Sequence, residues 1–162
     1  MVSEEAVEAS WLEVGAFEPA EAEKHMLQLG RRQQELLAFV MTMTEDLSAA
    51  AQETALYALV VIDRAFERAS GAPLPKARRR QIVAAYEKIS DDLGRLLAAD
   101  ERFIERHAVV STGNEPFVMR YVSEVLLEPD DPEAKVPDDE VGEVFMCLQT
   151  VVDVLHDLAA AG

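Results

Sequence analysis

Apolar residues recur at helical spacing along most of the chain. The first stripe lies between residues 19 and 47, with steps of seven, four, three and four positions: Leu29, Leu36, Val40, Met43 and Leu47. We expect one long helix that begins at Pro19, because a proline in the first turn of a helix has no hydrogen bond to lose. Gln33 fills the one polar gap in this stripe.

A second helix is predicted from residue 47 to about residue 70. Ser48 is a suitable N-cap, and Gly71 is a suitable terminator because glycine readily adopts the left-handed conformation that ends helices. Apolar residues surround this helix almost completely, which is typical of a helix in the middle of a bundle or in a subunit interface. The residues we assign to such an interface are Leu56, Leu59, Val60, Ile62 and Phe66.

Three further helices follow. One begins near Pro75, and a weaker segment over 100–107 extends it; Asn114 is expected to cap the next helix, and Asp138 the last one. The acidic, proline-rich stretch 128–139 reads as a loop, and no convincing strand is present. The sequence therefore predicts a single all-α domain over 1–162, an antiparallel bundle of about five main helices.

Residues 1–18 are acidic and contain both apolar residues and a Gly/Pro break. They predict a short helix or an extended arm that docks on the bundle through Trp11 and Phe17, with its first eight residues mobile.

Charge is distributed unevenly. Residues 1–30 carry a net charge of −6, residues 31–107 a net charge of zero, and residues 108–162 a net charge of −10, which gives −16 in all. Such a charge repels nucleic acid and anionic lipid. The first residues do not resemble a signal peptide, the longest apolar run (55–62) is too short to span a bilayer, and Cys147 is the only cysteine. We therefore expect a soluble, cytoplasmic protein.

A basic cluster, formed by Lys76, Arg78, Arg79 and Arg80, interrupts this acidic sequence. Cations at a helix N-terminus oppose the helix dipole and so call for anionic partners. We favour acids of the arm 1–23 or the loop 128–143, from the same chain or from a second subunit, over a solvated face. Nucleic acid is the least favoured partner, because no stacking aromatic or recognised motif accompanies the cluster.

No motif predicts a cofactor or a metal. The signature of a di-iron bundle is absent, because only Asp153 and His156 resemble a carboxylate–histidine pair, and Cys147 lies in an apolar setting that does not suit a reactive thiol. A metal held by His25, His107 and His156 stays open as an alternative to surface or capping histidines. Glycines do not cluster into a phosphate-binding loop.

Arg120 is the only base between His107 and Lys135. It could anchor a carboxylate ligand, although a salt bridge with Glu124 one turn later in the same helix is the favoured reading.

These patterns predict a non-enzymatic helical bundle that acts through protein–protein contact, as a homodimer or with another protein, without nucleic acid or membrane. An alternative is a bundle, either a simple binding protein or an enzyme, that binds a small molecule or a metal. Its candidate residues are His25, His107, His156 and Arg120. A weaker alternative is an acidic surface that imitates nucleic acid.

Overall fold

A computed structural model describes residues 1–97, 114–129 and 131–161, and within these ranges the regular structure is entirely helical. The all-α prediction is confirmed. The described residues form seven α-helices instead of about five: α1 (Glu4–Gly15), α2 (Pro19–Arg32), α3 (Gln34–Thr44), α4 (Ala49–Ser70), α5 (Arg79–Leu97), α6 (Pro116–Leu127) and α7 (Val141–Ala161). A short 3-10 turn lies at Pro132–Ala134.

Helix α4 is the centre of the bundle, with α1, α3, α6 and α7 packed around it. Its ends are those expected from the sequence. The Ser48 side chain accepts a hydrogen bond from the Ala51 N–H, and Gly71 adopts φ 75° with its N–H donated to the Glu67 carbonyl. A left-handed residue of this kind satisfies a carbonyl that the last helical turn leaves open.

The expected long helix from Pro19 is divided at Gln33, where the backbone turns to φ −131° and ψ 56°. The Gln33 side chain is buried; its Nε2 donates to the Pro75 carbonyl (2.8 Å), and its Oε1 accepts from the Ala77 N–H (2.9 Å). The polar residue in the apolar stripe therefore has a structural role, because its side chain satisfies backbone groups of the connection between α4 and α5.

The N-terminal segment forms a short helix, which is one of the two alternatives that the sequence predicted, and its first residues are packed. Residues 4–15 form helix α1 against α4, and the side chains of Val2, Ala6, Val7 and Val14 are buried. Of the two residues expected to dock, Trp11 stays 38 % exposed. Docking by Phe17 fits, since this half-buried ring packs on the core.

Three predicted helix starts move by one to four residues. Helix α5 begins at Arg79, four residues after Pro75, in a stretch whose backbone at Pro75 and Ala77 is held by Gln33. Glu115 and not Asn114 occupies the cap position of α6. Helix α7 begins at Val141, three residues after Asp138. The predicted extension over 100–107 lies outside the described residues.

A network of ion pairs fastens α1 and α2 to α4. Arg32 of α2 pairs with Asp63 and Glu67, and Arg64 pairs with Glu67 and with Glu13 of α1. Burial raises the pKa of Asp63, and the Arg32 and Arg64 cations oppose that rise. The pKa of Glu13 is lowered by its hydrogen bond from Arg64. These charged side chains therefore form ion pairs within the chain.

Helix α7 is the most apolar of the seven. An 18-residue window of this 21-residue helix has a mean hydropathy of 1.5, so by length and composition alone the helix could cross a membrane, which the apolar runs of the sequence did not predict. More than half of the apolar window is buried inside the chain, against α4 and α5 among others. Its composition is accounted for by this place in the core.

Candidate functional site

A cleft of about 470 Å³ lies where the ends of several elements meet. We call it the His156 cleft. Its walls come from the N-terminus, the end of α4 and the segment after it, the start of α6 and the end of α7: Met1, Val2, Phe66, Ala69, Ser70, Ala72, Pro73, Leu74, Pro75, Glu115, His156, Leu158, Ala159 and Ala160. Most of these side chains are apolar and small. Two polar side chains of the lining, Glu115 and His156, are hydrogen-bonded to each other.

Glu115 is 3 % exposed and stands at the cap position of α6. One carboxylate oxygen, Oε2, accepts from the Val2 N–H at 2.8 Å, and the other, Oε1, lies 2.8 Å from Nδ1 of His156. A buried carboxylate is costly unless it is paired, and here both oxygen atoms have a partner.

The Glu115 carboxylate fixes the orientation and the tautomer of the His156 ring. Because an ionised carboxylate only accepts hydrogen bonds, Nδ1 carries the hydrogen between them. Nε2 is then the ring nitrogen left for a ligand, on a side chain that is 27 % exposed. A histidine held in this way can accept a hydrogen bond or a proton.

No assembled nucleophile accompanies this pair in the described part of the chain. Ser70 lines the same cleft, but no hydroxyl or thiol of the described residues is hydrogen-bonded to His156. Cys147 is fully buried, and burial raises the pKa of its thiol to about 12. The expectation of an inert cysteine agrees with this, because a thiol that stays protonated is a poor nucleophile.

A second concave region surrounds the exposed Trp11. A groove of about 500 Å³ and a pocket of about 80 Å³ share Trp11, Val125 and Pro129. We call the two together the Trp11 groove. Its other lining residues are Ala50, Glu53, Thr54, Tyr57, Tyr121, Glu124, Glu128, Asp131, Glu133 and Ala134. Five of them are carboxylates, and no basic residue is among them.

Tyr121 is an unusual member of this groove. Its side chain is only 6 % exposed, yet its hydroxyl has no hydrogen-bond partner among the residues that the structure describes. Burial raises the pKa of this phenol well above its ordinary value, so that it keeps its proton. Tyr121 thus offers a buried donor that the described chain leaves unsatisfied.

The three histidines do not assemble in the described structure. His25 stacks on Phe17 with ring centroids 4.3 Å apart, and His156 is bound by Glu115. His107 lies outside the described residues. Within residues 1–97, 114–129 and 131–161, no group of three potential ligands could hold a metal.

Arg120 has a different partner from the one expected. Its guanidinium pairs with Glu4 of α1 at 2.9 Å and lies over the Phe117 ring at 5.2 Å, so the predicted pairing with Glu124 is wrong. The helical spacing suggested a local pair, but α1 was not expected to dock beside α6. At 51 % exposure, the Arg120 side chain forms a surface contact between two helices.

All four members of the basic cluster, Lys76 and Arg78–Arg80, are exposed, and none forms an ion pair with another described residue. Two of the acids expected as partners within the chain are engaged elsewhere. Glu13 of the N-terminal segment pairs with Arg64 and Arg68, and Glu4 pairs with Arg120. For Arg79 and Arg80, a partner in a second subunit stays a prediction.

The predicted interface residues of α4 are mostly core residues. Leu59, Ile62 and Phe66 are at most 1 % exposed, Val60 is 8 % exposed, and Leu56 is half-buried. Their apolar character is explained by packing inside one chain, so it gives no reason to expect a second copy on α4.

Neither concave region was predicted from the sequence. Glu115 precedes a proline that begins a helix, which could have marked it as a cap, but its pairing with a histidine 41 positions away has no local signal. Tyr121 was assigned to an apolar stripe, and the stripe was correct.

No protein-family model matches the chain, and the comparisons with curated proteins and with solved structures found no match either.

Proposed function

We propose that the protein is a non-enzymatic interaction module that binds a basic segment of another protein in the Trp11 groove. The observation that carries the proposal is the combination of an exposed tryptophan, five lining carboxylates and the unpaired hydroxyl of Tyr121. A cytoplasmic location belongs to the same proposal, and it rests on the single, buried thiol.

The groove suits lysine and arginine side chains chemically. An aromatic face attracts a cation by about 0.5–1 kcal/mol at an exposed site, and carboxylates add charge-assisted hydrogen bonds. The Tyr121 hydroxyl is covered in the free protein, so a bound segment must open the groove beside it before the hydroxyl can donate to a backbone carbonyl. That hydrogen bond would remove the penalty of leaving a buried donor unpaired. The absence of basic lining residues among those described leaves the groove's charge uncompensated.

The test uses a labelled peptide of alternating arginine and glycine and measures its binding by fluorescence anisotropy. The variant carries Glu53→Gln and Glu133→Gln, two exposed carboxylates of the groove. The control carries Glu21→Gln and Glu23→Gln, two exposed carboxylates of α2 outside the groove, and has the same net charge. We expect the groove variant to weaken binding about tenfold and the control less than twofold, since each lost charged contact is worth about 0.5–1 kcal/mol.

Equal weakening by the two pairs would contradict the groove proposal. It would instead support the weaker alternative, an acidic surface that acts as a whole and imitates nucleic acid, because diffuse attraction does not depend on which carboxylate is removed. Trp11 is the only tryptophan, so a change in its emission on peptide addition reports directly on the groove. Unchanged emission at saturation would also count against binding there.

Homodimerisation is the other form of protein contact that the sequence predicted. The predicted α4 residues are mostly buried, and the exposed apolar side chains elsewhere include Trp11 (38 %), Leu12 (60 %) and Leu127 (42 %). Native mass spectrometry measures the oligomeric state directly. A dimer that the Trp11→Ala variant dissociates would make a second copy, and not a basic segment, the occupant of this face.

A further inference from the structure

The His156 cleft is independent of the groove in which the proposed partner binds, and it has the features of a small-molecule site. We propose that it binds an uncharged small molecule with an apolar body and one hydroxyl group, whose hydrogen is donated to Nε2 of His156. The contacts of Glu115 and His156 and the composition of the walls carry this inference.

The size and the walls of the cleft define the body of the ligand. A volume of about 470 Å³ lies in the range of ordinary ligand pockets, which is roughly 300–1,000 Å³. Side chains such as Phe66, Leu74, Pro75 and Leu158 supply apolar contact surface. Such a lining favours a mainly apolar molecule, because water leaves both surfaces when they meet.

The charge of the cleft defines the head group. Glu115 is the only carboxylate and His156 the only basic side chain in the described lining, and neither Arg nor Lys is present to hold an anion. A buried carboxylate repels an anionic ligand. A cationic ligand would compete with Val2 and His156 for the Glu115 oxygens, because Oε1 faces His156 and Oε2 accepts from Val2. An uncharged head group satisfies His156 without disturbing this pair.

The orientation of the histidine selects a donor among uncharged head groups. Because Nδ1 faces the Glu115 carboxylate and carries the hydrogen between them, the uncharged form of His156 presents a lone pair at Nε2. A hydroxyl can donate to that lone pair, whereas an ether or a ketone cannot. The cleft should therefore distinguish an alcohol or phenol from its methyl ether by about fivefold, which is what one hydrogen bond usually contributes.

The experiment compares 4-ethylphenol with 4-ethylanisole, its methyl ether, on protein carrying 15N-labelled histidine. Long-range 1H–15N spectra follow the ring nitrogens of each described histidine. We expect 4-ethylphenol to shift Nε2 of His156 saturably and to leave His25, which stacks on Phe17, unchanged. The ether should bind about fivefold more weakly. Equal affinity for the two compounds, or no shift at His156 Nε2, would overturn the proposal.

Two matched variants locate the site, since the Trp11 groove could also take up a phenol. Ala160→Leu fills the cleft from an exposed position on α7, and Ala84→Leu makes the same change at an exposed position of α5 outside the lining. Circular dichroism checks that both fold. We expect Ala160→Leu to weaken 4-ethylphenol binding at least fivefold and Ala84→Leu to leave it unchanged. The opposite result, or equal effects, would place the phenol elsewhere.

The Glu53→Gln, Glu133→Gln variant separates this proposal from the proposed function. It should weaken binding of the basic peptide and leave the response of His156 to 4-ethylphenol intact, because neither residue lines the cleft. Loss of both peptide binding and the His156 response in this variant would contradict the proposal that the two sites are independent.

Discussion

Glu115 and Tyr121 are six positions apart at helix α6, and they are buried to nearly the same extent, with 3 % and 6 % exposure. Both oxygen atoms of Glu115 have partners within the chain, whereas the Tyr121 hydroxyl has none among the described residues. The comparison separates two uses of a buried polar group. One completes the structure and orients a neighbour, and the other leaves a requirement that a bound molecule can meet.

The largest effect is expected from removing Glu115. Glu115→Ala leaves the Val2 N–H and His156 Nδ1 without their acceptor, and unpairing buried partners of a charged group costs about 3–5 kcal/mol. We therefore expect the free energy of unfolding, measured by urea denaturation, to fall by about 3 kcal/mol.

Glu115→Gln is the matched variant for this change. It keeps the size of the side chain and one acceptor oxygen, so we expect it to lose less than half as much stability as Glu115→Ala. Similar losses in the two variants would mean that the carboxylate charge, and not its role as an acceptor, accounts for the effect.

Gln33 is a second buried polar side chain that is hydrogen-bonded within the chain, and it tests whether such a group stabilises the fold. Gln33→Leu preserves the apolar stripe but removes the partners of the buried Ala77 N–H and of the part-buried Pro75 carbonyl, and leaving a buried group unsatisfied costs about 1–3 kcal/mol. We expect a loss of about 2 kcal/mol in urea denaturation, after allowing for apolar contacts that leucine gains. Gln34→Leu, at an exposed neighbour, is the control and should change stability by less than about 0.5 kcal/mol.

Gln33 also shows what the sequence could and could not predict. Periodicity identified the helices and their buried faces, and the cap at Ser48 and the glycine at Gly71 were correct because both signals are local. The break at Gln33 depends on backbone groups 42 and 44 positions away, which no local pattern reveals. The site was missed for the same reason, since the pairs that build it join distant segments.

Asp153 illustrates a third way to accommodate a buried polar group, in which the carboxyl group takes up a proton. Burial, with a smaller contribution from Asp157, raises its pKa to about 6. A carboxyl whose folded pKa exceeds its unfolded value makes the fold more stable at low pH, and this gain is lost as pH rises through about 4 to 6. Asp153→Asn should therefore stabilise the protein at pH 7.5 by about 1 kcal/mol, a value discounted for partial exposure, and change little at pH 4.

Urea denaturation at the two pH values measures this difference. Asp157→Asn is the control, because it removes the same charge from an exposed neighbour on α7 and should stabilise less at pH 7.5. An equal gain in both variants would show that net charge, and not the burial of Asp153, determines the effect. Among the described residues, the Lys88 cation and the charged form of His156 lower the pKa of Asp153.

Tyr121→Phe should produce the smallest effect on stability, and in the opposite direction to Glu115→Ala. Removing a buried hydroxyl that has no partner removes its desolvation penalty without breaking a hydrogen bond, so we expect a gain of up to about 1 kcal/mol in the free energy of unfolding. Tyr86→Phe, in a half-buried ring packed edge-on against Phe39, is the control and should change stability by less than about 0.5 kcal/mol.

The same Tyr121 variant connects stability with binding. If a bound segment satisfies the hydroxyl, Tyr121→Phe must bind the arginine–glycine peptide more weakly while it unfolds less readily, because the group that penalises the free protein contributes to the complex. We expect about a fivefold loss of affinity by anisotropy. A variant that is less stable than the wild type would show that the hydroxyl already has a partner in the free protein. Unchanged affinity would separate Tyr121 from the binding of the peptide.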